Sequence, residues 1–84
     1  MKLTTRTVSW MKDRPLQHVV ALVQLAGRFH STIILRCNGE IADLRRRSVV
    51  TIVALCVMST VIEVEVTGDD EQDAARCVQE LFQN

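Results

Sequence analysis

The stretch from residue 61 to residue 67 most narrows the folds open to this chain. Apolar and polar residues alternate there: Ile62, Val64 and Val66 against Glu63, Glu65 and Thr67. Successive side chains of a strand point to opposite faces, so the pattern predicts a strand with one buried face and one solvated face. Gly68 predicts its end, and the acidic run 69–73 predicts the first turn of a helix, where carboxylates favour the positive end of the dipole. Together they predict a sheet covered by helices.

The N-terminal third predicts a strand followed by a helix. Thr5 to Trp10 is rich in β-branched residues and lacks breakers, which indicates a strand. Asp13 can cap free helix amides, and Pro15 lacks the N–H that a first turn leaves unused, so a helix should start here. Its apolar positions repeat at helical spacing: Leu16, Val19, Val20, Val23 and Ala26. Gly27 predicts its end.

The middle of the chain predicts a hairpin and one ambiguous segment. Ser31 to Cys37 and Glu40 to Leu44 indicate two strands, joined by the tight turn Asn38-Gly39. Val49 to Val57 is rich in β-branched residues, which favours a strand, whereas its place between two strands and the Ser at its start favour a short helix.

The element order is therefore β-α-β-β-α-β-α, which predicts an α+β open sandwich: a four-stranded antiparallel or mixed sheet with three helices on one face. A single sheet face can receive the apolar stripe of every helix. We expect one core made by residues from all elements: Val20, Val23, Ile34, Ile52, Val64, Val78 and Leu81.

Size and charge exclude several classes of protein. With 84 residues and 9.5 kDa, the chain has room for one domain, 1–84. Ten basic and ten acidic residues cancel, and aromatic residues make up only 4%, so a nucleic-acid-binding surface is not expected. No segment is long and apolar enough to suggest a signal peptide or a membrane span, and we expect no membrane insertion.

The cysteines and histidines do not form a recognisable metal or redox motif. Cys37, Cys56 and Cys77 lie about twenty residues apart with no C-x-x-C, and His18 and His30 show no metal-ligand spacing. We expect reduced thiols in a cytoplasmic protein, no metal and no cofactor. Catalytic triads, glycine-rich phosphate loops and paired carboxylates are also missing from the sequence, so no independent catalytic site is predicted.

Three local strings, taken in order and at their spacing, are similar to a known family. They are Gly27-Arg28-Phe29, the helix opening Ser48-Val49-Val50, and the segment 62–68 followed by Asp70-Glu71-Gln72. With the element order and length, they make nearly the whole chain resemble the HPr family, the histidine-containing phosphocarriers of the bacterial phosphotransferase system. The resemblance implies an HPr-like open-faced sandwich, and as partners phosphotransferase-system proteins or a regulator.

The family carries phosphate on a histidine in the pattern Gly-[Leu/Met]-His-x-Arg-Pro at the start of the first helix. Matching Arg14-Pro15 to that pattern places Lys12 at the histidine position, whereas counting back from Phe29 without gaps places Arg14 near it. The neighbouring His18 is then a candidate displaced phosphoryl acceptor, with a plain helix residue as the alternative. Lys12 and Arg14, together with the first helix amides, form a candidate anion site.

The resemblance also implies a role for Ser48, because this serine opens the second helix, where some family members undergo regulatory phosphorylation. A helix cap is the compatible structural interpretation. The preceding arginines 45–47 indicate a solvated turn or a partner-binding edge. The same resemblance suggests that the starts of both helices dock on partner proteins through exposed apolar residues such as Trp10, Met11 and Leu16.

Three hypotheses for function follow. The first is an HPr-like component, either a phosphocarrier or, because the histidine is replaced, a regulatory relative that acts by contact. The second is a small α+β ligand-sensing or dimerisation module without phosphoryl chemistry. The third is an engineered or drifted sequence that keeps the fold only. Phosphoryl transfer is at most a carrier activity, and the oligomeric state is left open.

Overall fold

A computed structural model describes residues 1–11 and 13–83, and within them the chain forms four strands and four helices. The strands are β1 (Lys2–Arg6), β2 (Thr32–Cys37), β3 (Glu40–Asp43) and β4 (Val61–Thr67). The helices are α1 (Thr7–Trp10), α2 (Pro15–Arg28), α3 (Val49–Val57) and α4 (Glu71–Gln83). The predicted order is confirmed, with the four-residue α1 as an addition. None of the described helices has the length and apolarity that a membrane span requires.

The strands form one antiparallel sheet in the order β1-β4-β2-β3, with β4 paired to both β1 and β2. The inner face of β4 is fully buried at Ile62, Val64 and Val66. On the outer face of the sheet, Nε of Arg36 in β2 lies 3.8 Å from Oε1 of Glu63, and its Nη2 lies 3.3 Å from Oε2 of Glu65. One face is thus packed under the helices and the other carries ion pairs, which confirms the predicted α+β open-faced sandwich.

The N-terminal strand lies earlier in the chain than predicted. β1 spans Lys2–Arg6, and the residues expected to continue it form α1, in which the N–H of Met11 donates to the carbonyl of Thr7 at 2.8 Å. The partner strand β4 begins only at Val61, so the ladder ends where the N–H of Thr7 donates to the carbonyl of Thr60 at 3.0 Å. Beyond that point the helical turn carries Trp10 into the core.

The predicted core is correct in part. Ile52, Val64 and Val78 are fully buried, and Val23 and Leu81 pack against the core from its rim. The prediction that Ile34 belongs to the core is wrong. Its neighbours Ile33 and Leu35 point inward, and Ile34 lies half-buried on the outer face, opposite Glu65. The prediction for Val20 is also wrong, because the buried stripe of α2 is formed by Val19 and Leu22, which are both fully buried.

The tight turn between β2 and β3 is confirmed. Asn38 and Gly39 both have positive φ values, 52° and 81°, as a type I′ hairpin turn requires. The ambiguous segment 49–57 is the helix α3, because Ile52 and Cys56, one turn apart, are both fully buried against the other elements.

Asp70 ties the loop before α4 to the loop before β2. Its carboxylate accepts hydrogen bonds from the N–H groups of His30 and Ser31, each at 2.8 Å, and from the Ser31 hydroxyl. Gly68 has a φ of 151°, and a Cβ there would lie 2.7 Å from Cα of Ser31, so only glycine allows this close approach. The Ser31 hydroxyl and the His30 N–H stabilise the charged carboxylate and lower the pKa of Asp70.

These contacts predict an acid-sensitive clamp. A lowered folded-state pKa adds stability above the ordinary aspartate value of 3.8, and this stability is lost as the pH falls through the lower folded-state pKa. We expect Asp70→Asn to lower the free energy of unfolding at neutral pH, and we expect this difference from the unaltered chain to shrink as the pH falls below 3.8 and through the lower folded-state pKa. Urea unfolding across this range measures it. The matched control Asp69→Asn, at the exposed neighbouring position, should show no such convergence. A constant Asp70→Asn difference at all pH values would contradict the clamp.

Candidate functional site

The N-terminus of α2 leaves unpaired amides at an exposed surface. Arg14 is the N-cap residue, with φ −144° and ψ 65°, and the first helical bond runs from the N–H of His18 to the carbonyl of Arg14 at 3.1 Å. The amides of Leu16 and Gln17 therefore have no acceptor within the helix. Among the described residues no side chain caps this end, and the first turn contains no acidic residue, so the predicted cap by Asp13 is wrong.

The Arg14 side chain is exposed beside these amides, with Nη1 lying 3.4 Å from Oε1 of Gln17. The positive end of the helix dipole and a permanently charged guanidinium thus share one small surface. Such a surface can bind an anion through charge and N–H donors. Lys12, the second predicted cation, lies outside the described residues.

His18 lies one turn into α2 and turns inward. Its ring packs on the indole of Trp10 with centroids 5.7 Å apart, and its Nδ1 is buried without a hydrogen-bond partner among the described residues. Trp10 also packs edge-on against Phe82 of α4 at 5.1 Å. This packing leaves Nε2 as the only ring nitrogen of His18 that could meet a phosphoryl donor.

Of the apolar residues predicted to dock a partner, only Leu16 is exposed. Trp10 and Met11 are core residues, 1% and 5% exposed, which corrects the prediction for both. Their burial follows from α1, whose turn directs Trp10 toward α2 and α4 instead of solvent. Leu16 is 56% exposed, and at the start of α3 Val50 is 75% exposed, so apolar surface does exist on both helices.

Ser48 is the N-cap of α3, as predicted. Its Oγ accepts from the N–H of Thr51 at 3.2 Å and lies 2.9 Å from the Thr51 hydroxyl. The residue is exposed, and the first turn of α3 contains no acidic side chain. A negative group on this hydroxyl would meet the positive end of a helix dipole.

Arg45 has a structural role that sequence reasoning missed. Its Nε and Nη2 donate to the carbonyl of Ala26 at 3.2 Å and 3.0 Å, and Nη2 also donates to the carbonyl of Phe29. It therefore caps the C-terminus of α2 from a loop far along the chain. No local sequence pattern predicts this contact, because the donor and the acceptor are separated by 19 residues. Arg46, which lies 3.9 Å from Asp43, belongs to the solvated turn that was predicted.

The remaining titratable residues that the structure describes do not assemble a second binding site. Cys37 and Cys56 are buried, and a hydrogen bond to Cys37 together with burial raises the pKa of the Cys56 thiol. His30 is a loop residue, and its N–H contributes to the Asp70 clamp. The described part of the chain contains no group of three or more His, Cys, Asp or Glu residues placed to hold a metal ion.

Comparison with known structures gives the same fold. The chain is similar to HPr-C-His from Thermoanaerobacter tengcongensis, with 23% identity, coverage of 99% of this chain and 91% of that chain, and a TM-score of 0.74. It is also similar to the phosphocarrier protein HPr of Bacillus anthracis, with 20% identity, coverage of 96% of this chain and 94% of that chain, and a TM-score of 0.70. A third similar structure is Crh, the catabolite repression containing protein of Bacillus subtilis, with 26% identity, coverage of 89% of this chain and 82% of that chain, and a TM-score of 0.63. No curated protein sequence gave a significant match.

A family model described as the PTS HPr component phosphorylation site matches residues 14–84. The match begins at the N-cap of α2 and runs through the last helix, so it includes the helix start, the Ser48 cap and the Asp70 clamp. The chain therefore belongs to the HPr family of the phosphotransferase system.

Proposed function

We propose that this chain is a regulatory, partner-binding member of the HPr family and not an efficient phosphocarrier. The observation that carries the proposal is the start of α2, where the N-cap residue is Arg14 and the one histidine in the helix has a buried Nδ1. A guanidinium stays protonated at all physiological pH values and is therefore a poor acceptor for a phosphoryl group. We further propose a single domain over residues 1–84 that acts in the cytoplasm.

The chemistry of the neighbouring residues supports the same conclusion. The Lys12 amine is protonated at neutral pH and is a poor nucleophile. His18 is one turn beyond the helix start, and at ~1.5 Å per residue its ring is displaced by several ångströms along the axis from the N-cap position. Transfer between two proteins requires near-attack geometry, where an error of about 1 Å can cost on the order of a hundredfold in rate.

Incubation with the phosphotransferase-system enzyme and phosphoenolpyruvate, followed by intact mass measurement, tests this proposal. We expect no efficient gain of a phosphoryl group by the unaltered chain. Lys12→His should raise phosphorylation if the register set by Arg14-Pro15 is the working one. Rapid labelling of the unaltered chain that disappears in His18→Ala would contradict the proposal and identify His18 as the acceptor.

The same surface is proposed to bind anions weakly, through Lys12, Arg14 and the amides of Leu16 and Gln17. Support comes from the exposed guanidinium beside two unpaired amides and from the missing carboxylate in the first turn. Titration with phosphate up to tens of millimolar, on the order of the weakest binding worth measuring, should shift the NMR amide resonances of residues 14–18. Arg14→Ala should weaken the response, whereas Arg76→Ala on α4 should not. Unmoved resonances would rule the site out.

Ser48 is proposed as a regulatory phosphorylation site, and phosphotransferase-system proteins or a regulator are proposed as partners. The exposed hydroxyl at the start of α3 supports the first part, since a phosphate there would gain from the helix dipole. The similarity to Crh, named as a catabolite repression containing protein, supports regulation over transport. The exposed Leu16 and Val50 on α2 and α3 are the apolar contacts that such a partner would cover.

A further inference from the structure

Two of the three cysteines meet in the core and have no part in the function proposed above. Cys37 ends β2 on the inner face of the sheet, opposite Ile62 of β4, and is 2% exposed. Cys56 lies in the last turn of α3 and is fully buried. Both are free thiols, and a hydrogen bond joins their side chains. Two nucleophilic groups from distant elements therefore share one buried contact.

Ser59, just beyond the end of α3, completes this cluster. Its N–H donates to the carbonyl of Cys56 at 3.1 Å, and its hydroxyl donates to the carbonyl of Leu55 at 2.8 Å. These two bonds hold the last turn of α3 in place beside β2. The Ser59 hydroxyl also lies within hydrogen-bonding reach of the Cys37 sulfur.

The two thiols of the cluster differ in acidity. Hydrogen bonds from Cys56 and Ser59 lower the pKa of the Cys37 thiol, although burial opposes them. The bond to Cys37 and burial both raise the pKa of the Cys56 thiol. Cys37 is therefore the thiol that ionises first, and the thiolate is the nucleophilic form of cysteine.

A depression of about 350 Å³ at the β2–β3 turn reaches Cys37 from the surface. Its lining includes Cys37, the turn residues Asn38 and Gly39, and Val61 of β4. A space of this size holds several molecules as small as water, each of which needs about 30 Å³. A small neutral oxidant can therefore approach Cys37, whereas Cys56 has no exposed surface.

We propose that Cys37 and Cys56 form a reversible disulfide when the protein meets hydrogen peroxide. The Cys37 thiolate attacks one peroxide oxygen, the O–O bond breaks, and the hydroxide that leaves takes up a proton to give water. The sulfur of Cys56 then attacks the resulting sulfenic acid, the S–O bond breaks, and the proton of Cys56 leaves with the hydroxide as a second water. Two thiols are oxidised and one peroxide is reduced. Disulfides of this transient kind serve as redox sensors in reducing compartments.

The disulfide is expected to lock α3 to the sheet, because it joins the last turn of α3 to the end of β2. The cross-link closes the loop from residue 37 to residue 56 and so restricts the unfolded chain. We expect the melting temperature to rise by roughly 10–20 °C on oxidation and to return when dithiothreitol reduces the bond. Because α3 begins at the Ser48 cap, the oxidised form holds the start of that helix more rigidly. Formation of the disulfide does not depend on any phosphotransferase-system role.

Intact mass measurement of the full chain tests the proposal. The chain is treated with a small excess of hydrogen peroxide and then alkylated with N-ethylmaleimide in denaturant without reductant. We expect the unaltered chain to lose two hydrogen atoms and to gain one alkyl group in place of three. Cys77→Ser is the matched control, because Cys77 is half-buried on α4 outside the cluster; this variant should still lose two hydrogen atoms and gain no alkyl group. Cys37→Ser and Cys56→Ser should each keep both remaining thiols, and circular dichroism verifies that they are folded.

Trypsin digestion of the oxidised, unaltered chain identifies the pair even if a core variant fails to fold. Cleavage after the arginines places the three cysteines in separate peptides, 37–45, 48–76 and 77–84. We expect 37–45 linked to 48–76. A link that includes 77–84, or three free thiols after treatment, overturns the proposal. A Cys37–Cys56 disulfide that leaves the melting temperature unchanged overturns the lock on α3.

Discussion

Val64→Asp is expected to unfold this protein at room temperature. Val64 is fully buried in β4, the strand that pairs with two others, and lies opposite Leu3 on one side and Leu35 on the other. An aspartate there would lie among the apolar side chains of the core cluster, so the charge or its neutralisation costs several kcal/mol. The whole free energy of unfolding of a small domain is only about 5–15 kcal/mol. Far-UV circular dichroism should show loss of the folded spectrum.

The matched control is Val61→Asp on the same strand. Val61 is 46% exposed and opposes Arg6, so an aspartate there stays solvated. We expect a change in the free energy of unfolding of about 1 kcal/mol or less, which is the span of strand propensities. A folded Val64→Asp variant of normal stability would mean that the inner face of β4 is not the core of the protein.

Trp10→Ala is the second substitution with a large expected effect. Trp10 is 1% exposed and joins α1 to two helices through the rings of His18 and Phe82. Removing the indole leaves a cavity that this small core cannot fill, at a cost of about 3–5 kcal/mol. The corresponding decrease in melting temperature is about 15–30 °C for a domain of this size. Thermal unfolding followed by circular dichroism measures it.

Trp10→Phe separates packing from hydrogen bonding. The indole Nε1 is buried and has no acceptor among the described residues, so phenylalanine keeps a ring in place and loses no bond. We expect a cost of about 1.5 kcal/mol, typical of a swap that keeps most of the volume. If Trp10→Phe destabilised the protein as much as Trp10→Ala, the indole N–H would have a partner that matters.

Family membership explains why the site was harder to predict than the fold. The strings that point to the HPr family, such as Ile62 to Gly68 and Ser48-Val49-Val50, occupy structural positions, and the structure places them as a central strand and a helix start. The phosphate-carrying position is the part of the pattern that this chain has changed. Sequence alone left two registers, which place either Lys12 at the histidine position or Arg14 near it, and the structure adds that Arg14 is the N-cap of α2.

Local sequence determined the elements whose signals are complete within a few residues. The alternation of 61–67 predicts β4, Asn38-Gly39 predicts the hairpin, and Pro15 and Ser48 predict where two helices begin, since turn and helix-start preferences act over one turn of chain.

Only the tertiary structure decided the features that depend on distant residues. Ile33 to Leu35 is apolar throughout, so the pairing with β4 selects which of its faces is buried. The end of β1 depends on where β4 begins, and that in turn places Trp10 in the core. The inward turn of His18 and the cap that Arg45 provides for α2 both depend on contacts between side chains or loops that are distant in the sequence. The positions of these side chains are set by how the whole core packs, and a short segment of sequence does not show which distant residues will pack against it.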